Sequence, residues 1–307
     1  MRRAVLGLLG SALLFGSALA GPQGAQQPAP RVDGDMFVRG VALGLFATDP
    51  DWDYGPLVDE IAARGATDVL VVVNAYQSSR FASDIGARPG RTPSDAAVAR
   101  TLRQVRERGM RAAMMPVVRL EERAPHDWRG VIAPADGLDA WFASYRRFVL
   151  PLLRVAAAEG AHRFVVGSEL GSLQRYESQW RALIDEARAV FPGLLTYSAN
   201  WDHAADVQFW GALDEVGLTA YFPLSRDAVP TDAGLARAWQ TPLDEIRALE
   251  RRVGKPVLIT EIGYSSRRDA AARPWDDSGA AEADLRVQQQ LYRGFCDAFI
   301  ETPSISG

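Results

Sequence analysis

The sequence predicts an α/β fold, a single-domain (β/α)8 barrel, on three observations. From Val38 onward, short apolar runs alternate with longer amphipathic stretches, the signature of parallel strands joined by helical crossovers. Seven strand candidates and the start of an eighth suit a closed barrel better than an open doubly wound sheet, and no Gly-x-Gly-x-x-Gly turn follows the first strand. Two of the strands, Phe164-Val165-Val166-Gly167-Ser168-Glu169 and Leu258-Ile259-Thr260-Glu261, each end in a carboxylate.

The N-terminus stands apart from this pattern. Arg2 and Arg3 precede an apolar run from Ala4 to Ala20 with small residues at Ala18 and Ala20, which reads as a secretory signal peptide over residues 1–20. About 17 apolar residues diluted by Gly, Ser and Ala sit at the lower limit for a membrane span, so cleavage is the favoured reading over anchoring. Residues 21–35, rich in Pro, Gln, Gly and Ala, read as a flexible linker, and residues 36–307 as the barrel.

Along the barrel, Val38–Phe46 is the first predicted strand, followed by a helix over 54–64 that stops at Gly65. Asp68–Ala75 is the second strand, nearly all β-branched. Ser94 caps a helix to Arg108, and Met110–Val118 is the third strand. A long loop containing Trp128 leads to a helix over 138–159 with Pro151 as a potential kink. His162–Ser168, Leu194–Ala199, Glu215–Tyr221 and Lys255–Ile262 are strands four to seven. Helices are predicted over 172–190, 207–213, 235–253 and 282–300. Ser304–Gly307 reads as the opening of strand eight, so the barrel is expected to be truncated within or just after that strand, as in a fragment.

Composition excludes several classes. The 307 residues carry a formal charge of −4 with no basic run, which argues against a nucleic-acid partner. The single Cys296 excludes an internal disulfide or a cysteine metal cluster, and His126, His162 and His203 are too scattered for zinc. Asp49, Asp51, Asp53 and Glu60 imitate a calcium loop, but Tyr54 stands where the sharp turn needs Gly. These acids read better as caps of the first helix. No Gly-x-Ser-x-Gly supports a serine hydrolase. No cofactor or metal is expected, no lasting membrane insertion, and a monomer.

Two glutamates at the C-terminal ends of strands four and seven of a barrel face one mouth, where they suit glycosidic bond cleavage. In a retaining pair the carboxyl groups stand about 5–5.5 Å apart, one protonated and one ionised. The opposing reading is that each glutamate pairs with an arginine at the rim.

Five stretches at predicted strand ends narrow this further: Asn74-Ala75-Tyr76-Gln77, Val166-Gly167-Ser168-Glu169-Leu170, Thr196-Tyr197-Ser198-Ala199-Asn200-Trp201-Asp202, Thr219-Ala220-Tyr221-Phe222-Pro223-Leu224 and Thr260-Glu261-Ile262-Gly263-Tyr264. With these the chain, from about residue 38 to 307, resembles glycoside hydrolase family 113, retaining (β/α)8 barrels that include endo-β-1,4-mannanases. The resemblance implies Glu169 as acid/base, Glu261 as nucleophile, and a Tyr221 hydroxyl that donates to Glu261. It implies a β-1,4-mannan or mannan-like substrate cleaved by a secreted or periplasmic enzyme. The alternatives are a β-glucan or other β-glycoside hydrolase or transglycosylase with the same carboxylates, or an inactive polysaccharide-binding barrel.

Further sugar contacts are expected from Asn200, Trp201 and Asp202 after strand five, from Tyr76 and Gln77 after strand two, and from Arg119 after strand three. Arg119 has a second reading as the ion-pair partner of Glu121 or Glu122, and Trp201 as packing at the barrel top. Among the loop tryptophans, Trp275 is the best candidate for stacking on a sugar ring, whereas Trp141 reads as core. His203, beside Asp202, is a candidate for the cleft wall.

Overall fold

The protein is described here by a computed structural model covering residues 38–225, 230–276 and 281–300. The predicted signal peptide, the linker to residue 35 and the Ser304–Gly307 strand lie outside the described residues. Among the described residues, no helix is long and apolar enough to cross a membrane.

Seven strands form one curled parallel sheet in sequential order: β1 (Gly40–Gly44), β2 (Asp68–Gln77), β3 (Arg111–Leu120), β4 (Arg163–Ser168), β5 (Leu194–Asn200), β6 (Val216–Thr219) and β7 (Val257–Glu261). The crossovers carry α1 (Gly55–Ala63), α2 (Asp95–Glu107), α3 (Leu138–Ala158), α4 (Glu177–Val190), α5 (Asp232–Ala238) and α6 (Gln240–Val253), and α7 (Leu285–Ile300) follows β7. This is the repeating unit of a (β/α)8 barrel.

Side-chain alternation sorts each strand between two layers. Val69, Val71, Val73 and Ala75 of β2 point outward into the large core beneath the helices, with Met114 and Val118 of β3 and Leu195, Tyr197 and Ala199 of β5. The opposite faces hold a small inner cluster of Val72, Met115, Val117 and Val165. By the same alternation, Tyr76 and Arg119 end on the inner face and Gln77 on the outer.

Most elements fall within a few residues of expectation, with three differences. The helix expected over 235–253 is two, hinged at Trp239, whose indole is fully buried against Phe222, Phe295 and Phe299. The stretch over 207–213 forms no α-helix; two short 3-10 turns, Ala204–Asp206 and Trp210–Ala212, are tied by Trp210 Nε1 donating to the Ala204 carbonyl at 2.9 Å. The helix expected from 172 begins only at Glu177, after a 3-10 turn over Gly171–Leu173. Ser94 caps α2 as predicted, accepting from the Ala97 N–H at 3.0 Å. Asp53 accepts from the Gly55 N–H at 3.0 Å at the start of α1, and Asp51 meets the Ser94 hydroxyl.

Candidate active site

Glu169 and Glu261 both follow breaks in sheet register. Between Val165 and Ser168, three steps of β4 face two of β5. Such a bulge re-aims the side chains beyond it. Glu169 then adopts φ +53°, in the left-handed region that a non-glycine residue occupies at a cost of about 1–2 kcal/mol. On β7, Val257 and Ile259 face the outer core, and plain alternation would send Glu261 after them. A second shift pairs Leu218 with Ile259 but Thr219 with Glu261, skipping Thr260.

An aromatic clamp behind β4 and β5 holds the strained segment. Tyr197 Oη accepts from the Leu170 N–H at 2.8 Å and from Gln174 Nε2 at 3.2 Å. Tyr145 Oη donates to the Val166 carbonyl and Trp180 Nε1 to the Leu173 carbonyl, each at 2.9 Å. The Trp180 and Tyr197 rings pack so tightly over Gly167 that an added Cβ would stand 2.8 Å from one and 3.0 Å from the other. Gly167 is therefore a packing requirement of the segment that delivers Glu169.

The two carboxylates meet different surroundings. Tyr221 Oη donates to Glu261 Oε1 at 2.5 Å, the bond expected between them. Burial and the neighbouring Glu261 charge push the tyrosine far above its ordinary value, so it stays a donor. Glu169 is 7% exposed and forms an ion pair with Arg129. Burial raises the Glu169 carboxyl above its usual range; Arg129 opposes the rise, and the charges of Glu261 and Asp202 add to it. Among the described residues, an arginine holds only Glu169 of the pair. A buried carboxyl whose pKa is raised, beside a second carboxylate with its own donor, can divide acid and nucleophile roles.

The remaining predicted contacts separate. Asn200 accepts from Thr219 Oγ1 at 3.1 Å, and the Thr219 hydroxyl lies against Glu169, lowering its carboxyl. Trp201 is half-buried, 5.1 Å from Phe222 and 6.5 Å from Trp275, whose ring is 52% exposed. Asp202 and His203 are exposed beside them. Arg119 is exposed at the end of β3, and its second reading fails: Glu121 instead bonds Arg88 and Arg91, each at 2.9 Å.

Two expectations need correction. Gln77 is fully buried on the outer face, its amide accepting from Trp141 Nε1 at 2.9 Å and donating to the Ser79 carbonyl at 2.8 Å, which leaves it no surface for a sugar. Adjacent strand residues face opposite ways, so Tyr76 and Gln77 could not both reach the mouth. Tyr76 is on the inner side but covered, with the Arg91 guanidinium 3.9 Å above its ring and its hydroxyl donating to the Arg91 carbonyl at 3.3 Å. Two residues missed by the sequence reading, Arg129 and Thr219, contact Glu169 directly. Arg129 comes from a 3-10 turn in the long loop after β3, where no periodicity or spacing marks it. Thr219 lies within the stretch ending at Tyr221, and strand alternation from Val216 and Leu218 would have turned it inward.

Among the described residues, no group of three or more His, Cys, Asp or Glu is placed to hold a metal ion.

The chain matches the model of Glycoside Hydrolase Family 113 over residues 55–307. Among solved structures it is similar to a GH113 beta-1,4-mannanase in a complex, at 22% identity over 88% of this chain and 86% of that chain, with a TM-score of 0.79. It is also similar to the GH113 beta-mannanase from Alicyclobacillus acidocaldarius in complex with ManMIm. That match has 24% identity over 88% of this chain and 85% of that chain, and again a TM-score of 0.79. No curated protein matches.

Proposed function

The chain belongs to glycoside hydrolase family 113, a family of O-glycoside hydrolases, and from that premise we propose that it cleaves β-1,4-linked mannan or a mannan-like glycan with retention. In this reading Glu261 attacks the anomeric carbon while Glu169 protonates the departing oxygen. Glu169, now a carboxylate, then takes a proton from the water that hydrolyses the glycosyl–enzyme bond. The observation that carries the reading is the contrast between the carboxylates: Tyr221 donates to Glu261, while burial raises the Glu169 carboxyl above its usual range against the opposing charge of Arg129. Arg129 is poised to neutralise Glu169 each time it ionises during the cycle. That the similar structures are mannanases supports the substrate, and the Trp201–Trp275 pair offers flat apolar surface for pyranose C–H faces.

Product stereochemistry tests the reaction. Early hydrolysis of β-manno-oligosaccharides, followed by NMR, should release the β-anomer first; the α-anomer would refute retention. Glu261→Ala should remove turnover, and Glu169→Ala should spare substrates whose leaving group needs no protonation. Greater activity on β-glucan than on mannan would replace the substrate but keep the mechanism.

Export belongs to the same proposal. Residues 1–20 serve as the signal and the mature chain starts near Gly21, so N-terminal sequencing of the exported protein should begin there and not at Met1.

A further inference from the structure

The inner face at the end of β3 carries a cation that the proposed mechanism does not use. Met115 and Val117 face the inner cluster, and alternation along β3 carries Arg119 to the same side at the mouth. The nearby acids are engaged: Glu121 bonds Arg88 and Arg91, and Glu169 bonds Arg129. Arg119 itself has no carboxylate within ion-pair distance among the described residues.

Beside it lies an exposed aromatic ring. Phe46, two residues beyond β1, is 48% exposed, and the Arg119 guanidinium stands 6.0 Å from its ring centre. The ring folds back over Gly44, where an added Cβ would come within 2.2 Å of it. Glycine at that position therefore lets the ring lie across the rim of β1. The surroundings are cationic as well. Although Arg119 is open to solvent, the walls of the mouth around it partly desolvate its guanidinium and lower it from its ordinary value; repulsion from Arg129 and Arg123 adds to this, and Tyr76 and the Glu261 charge partly offset it.

We propose that Phe46 and Arg119 form a subsite for a carboxylate-bearing sugar of the glycan, a uronosyl unit. Its ring would pack on Phe46 and its carboxylate would pair with the guanidinium. A guanidinium is planar and donates two parallel N–H bonds, which match a carboxylate and exceed what a neutral hydroxymethyl group can return. The subsite rests on the glycan-binding reading given above and narrows its substrate class.

Binding tests it without relying on turnover. Full-length Glu261→Ala protein is titrated by calorimetry with a β-1,4-manno-oligosaccharide and with the same oligosaccharide oxidised at C6 to the uronic acid. The oxidised form should bind about fivefold more tightly at low salt, the range of a partly exposed ion pair, and the preference should fade at about 0.5 M salt. Adding Arg119→Gln should bring the ratio to about one, and Arg119→Lys should retain part of it. Equal binding of the two sugars, a preference that survives Arg119→Gln, or no binding of either would overturn the subsite. Should the preference hold while wild-type protein cleaves neither glycan, the proposed reaction falls and the subsite stands.

Discussion

Glu169 combines three features that a structural glutamate rarely shares: burial, a left-handed backbone and a charge partner from a distant loop. Its raised pKa ties stability to pH. A carboxyl whose folded value lies above the ordinary 4.5 binds more protons folded than unfolded, so stability falls as pH rises through that window. Glu169→Gln keeps the neutral form at every pH. Relative to wild type, its melting temperature should rise steadily above about pH 4.5 and show a constant offset below it, measured by thermal scans across pH. A gap that narrows with rising pH would mean that pairing with Arg129 outweighs burial.

At the scale of elements, the site depends on packing behind the sheet as much as on residues in the mouth. The Leu170 N–H, directly after Glu169, has Tyr197 Oη as its buried acceptor. Tyr197→Phe leaves that donor and the Gln174 amide without their partner. It should cost about 1–3 kcal/mol of stability by urea denaturation. On the proposed roles, it should also lower kcat more than it changes KM, because the proposed acid Glu169 moves while the proposed stacking surface at Trp201 and Trp275 does not. Unchanged kcat would show that the bulge in β4 alone positions Glu169.

At the scale of the whole molecule, the opposite end of the barrel carries stability. Arg163 at the start of β4 and Glu215 just before β6 form a bidentate pair at 2.6 and 2.9 Å, both nearly inaccessible to solvent. Glu215→Ala leaves a buried guanidinium uncompensated and should destabilise by about 3–5 kcal/mol. Replacing both partners with apolar residues should recover much of that loss in denaturation experiments. A double variant as unstable as the single one would refute this account. The division of labour, chemistry at strand C-termini and stability at strand N-termini, follows the barrel's general design.

The sequence by itself determined the strand–helix alternation, the barrel class and the pair of strand-end glutamates, because apolar periodicity and burial of β-branched runs are local properties. The family resemblance also implied the Tyr221–Glu261 hydrogen bond, with strand six bordering strand seven. Tertiary structure alone decided which way the two glutamates point. A register shift turns Glu261 away from plain alternation, and a bulge with a left-handed backbone sets the aim of Glu169; both depend on the neighbouring strand, which a single stretch of sequence does not contain. Plain alternation along β2 already sends Gln77 to the core side, whereas only tertiary structure brought Arg129 from a patternless loop 40 residues away onto Glu169.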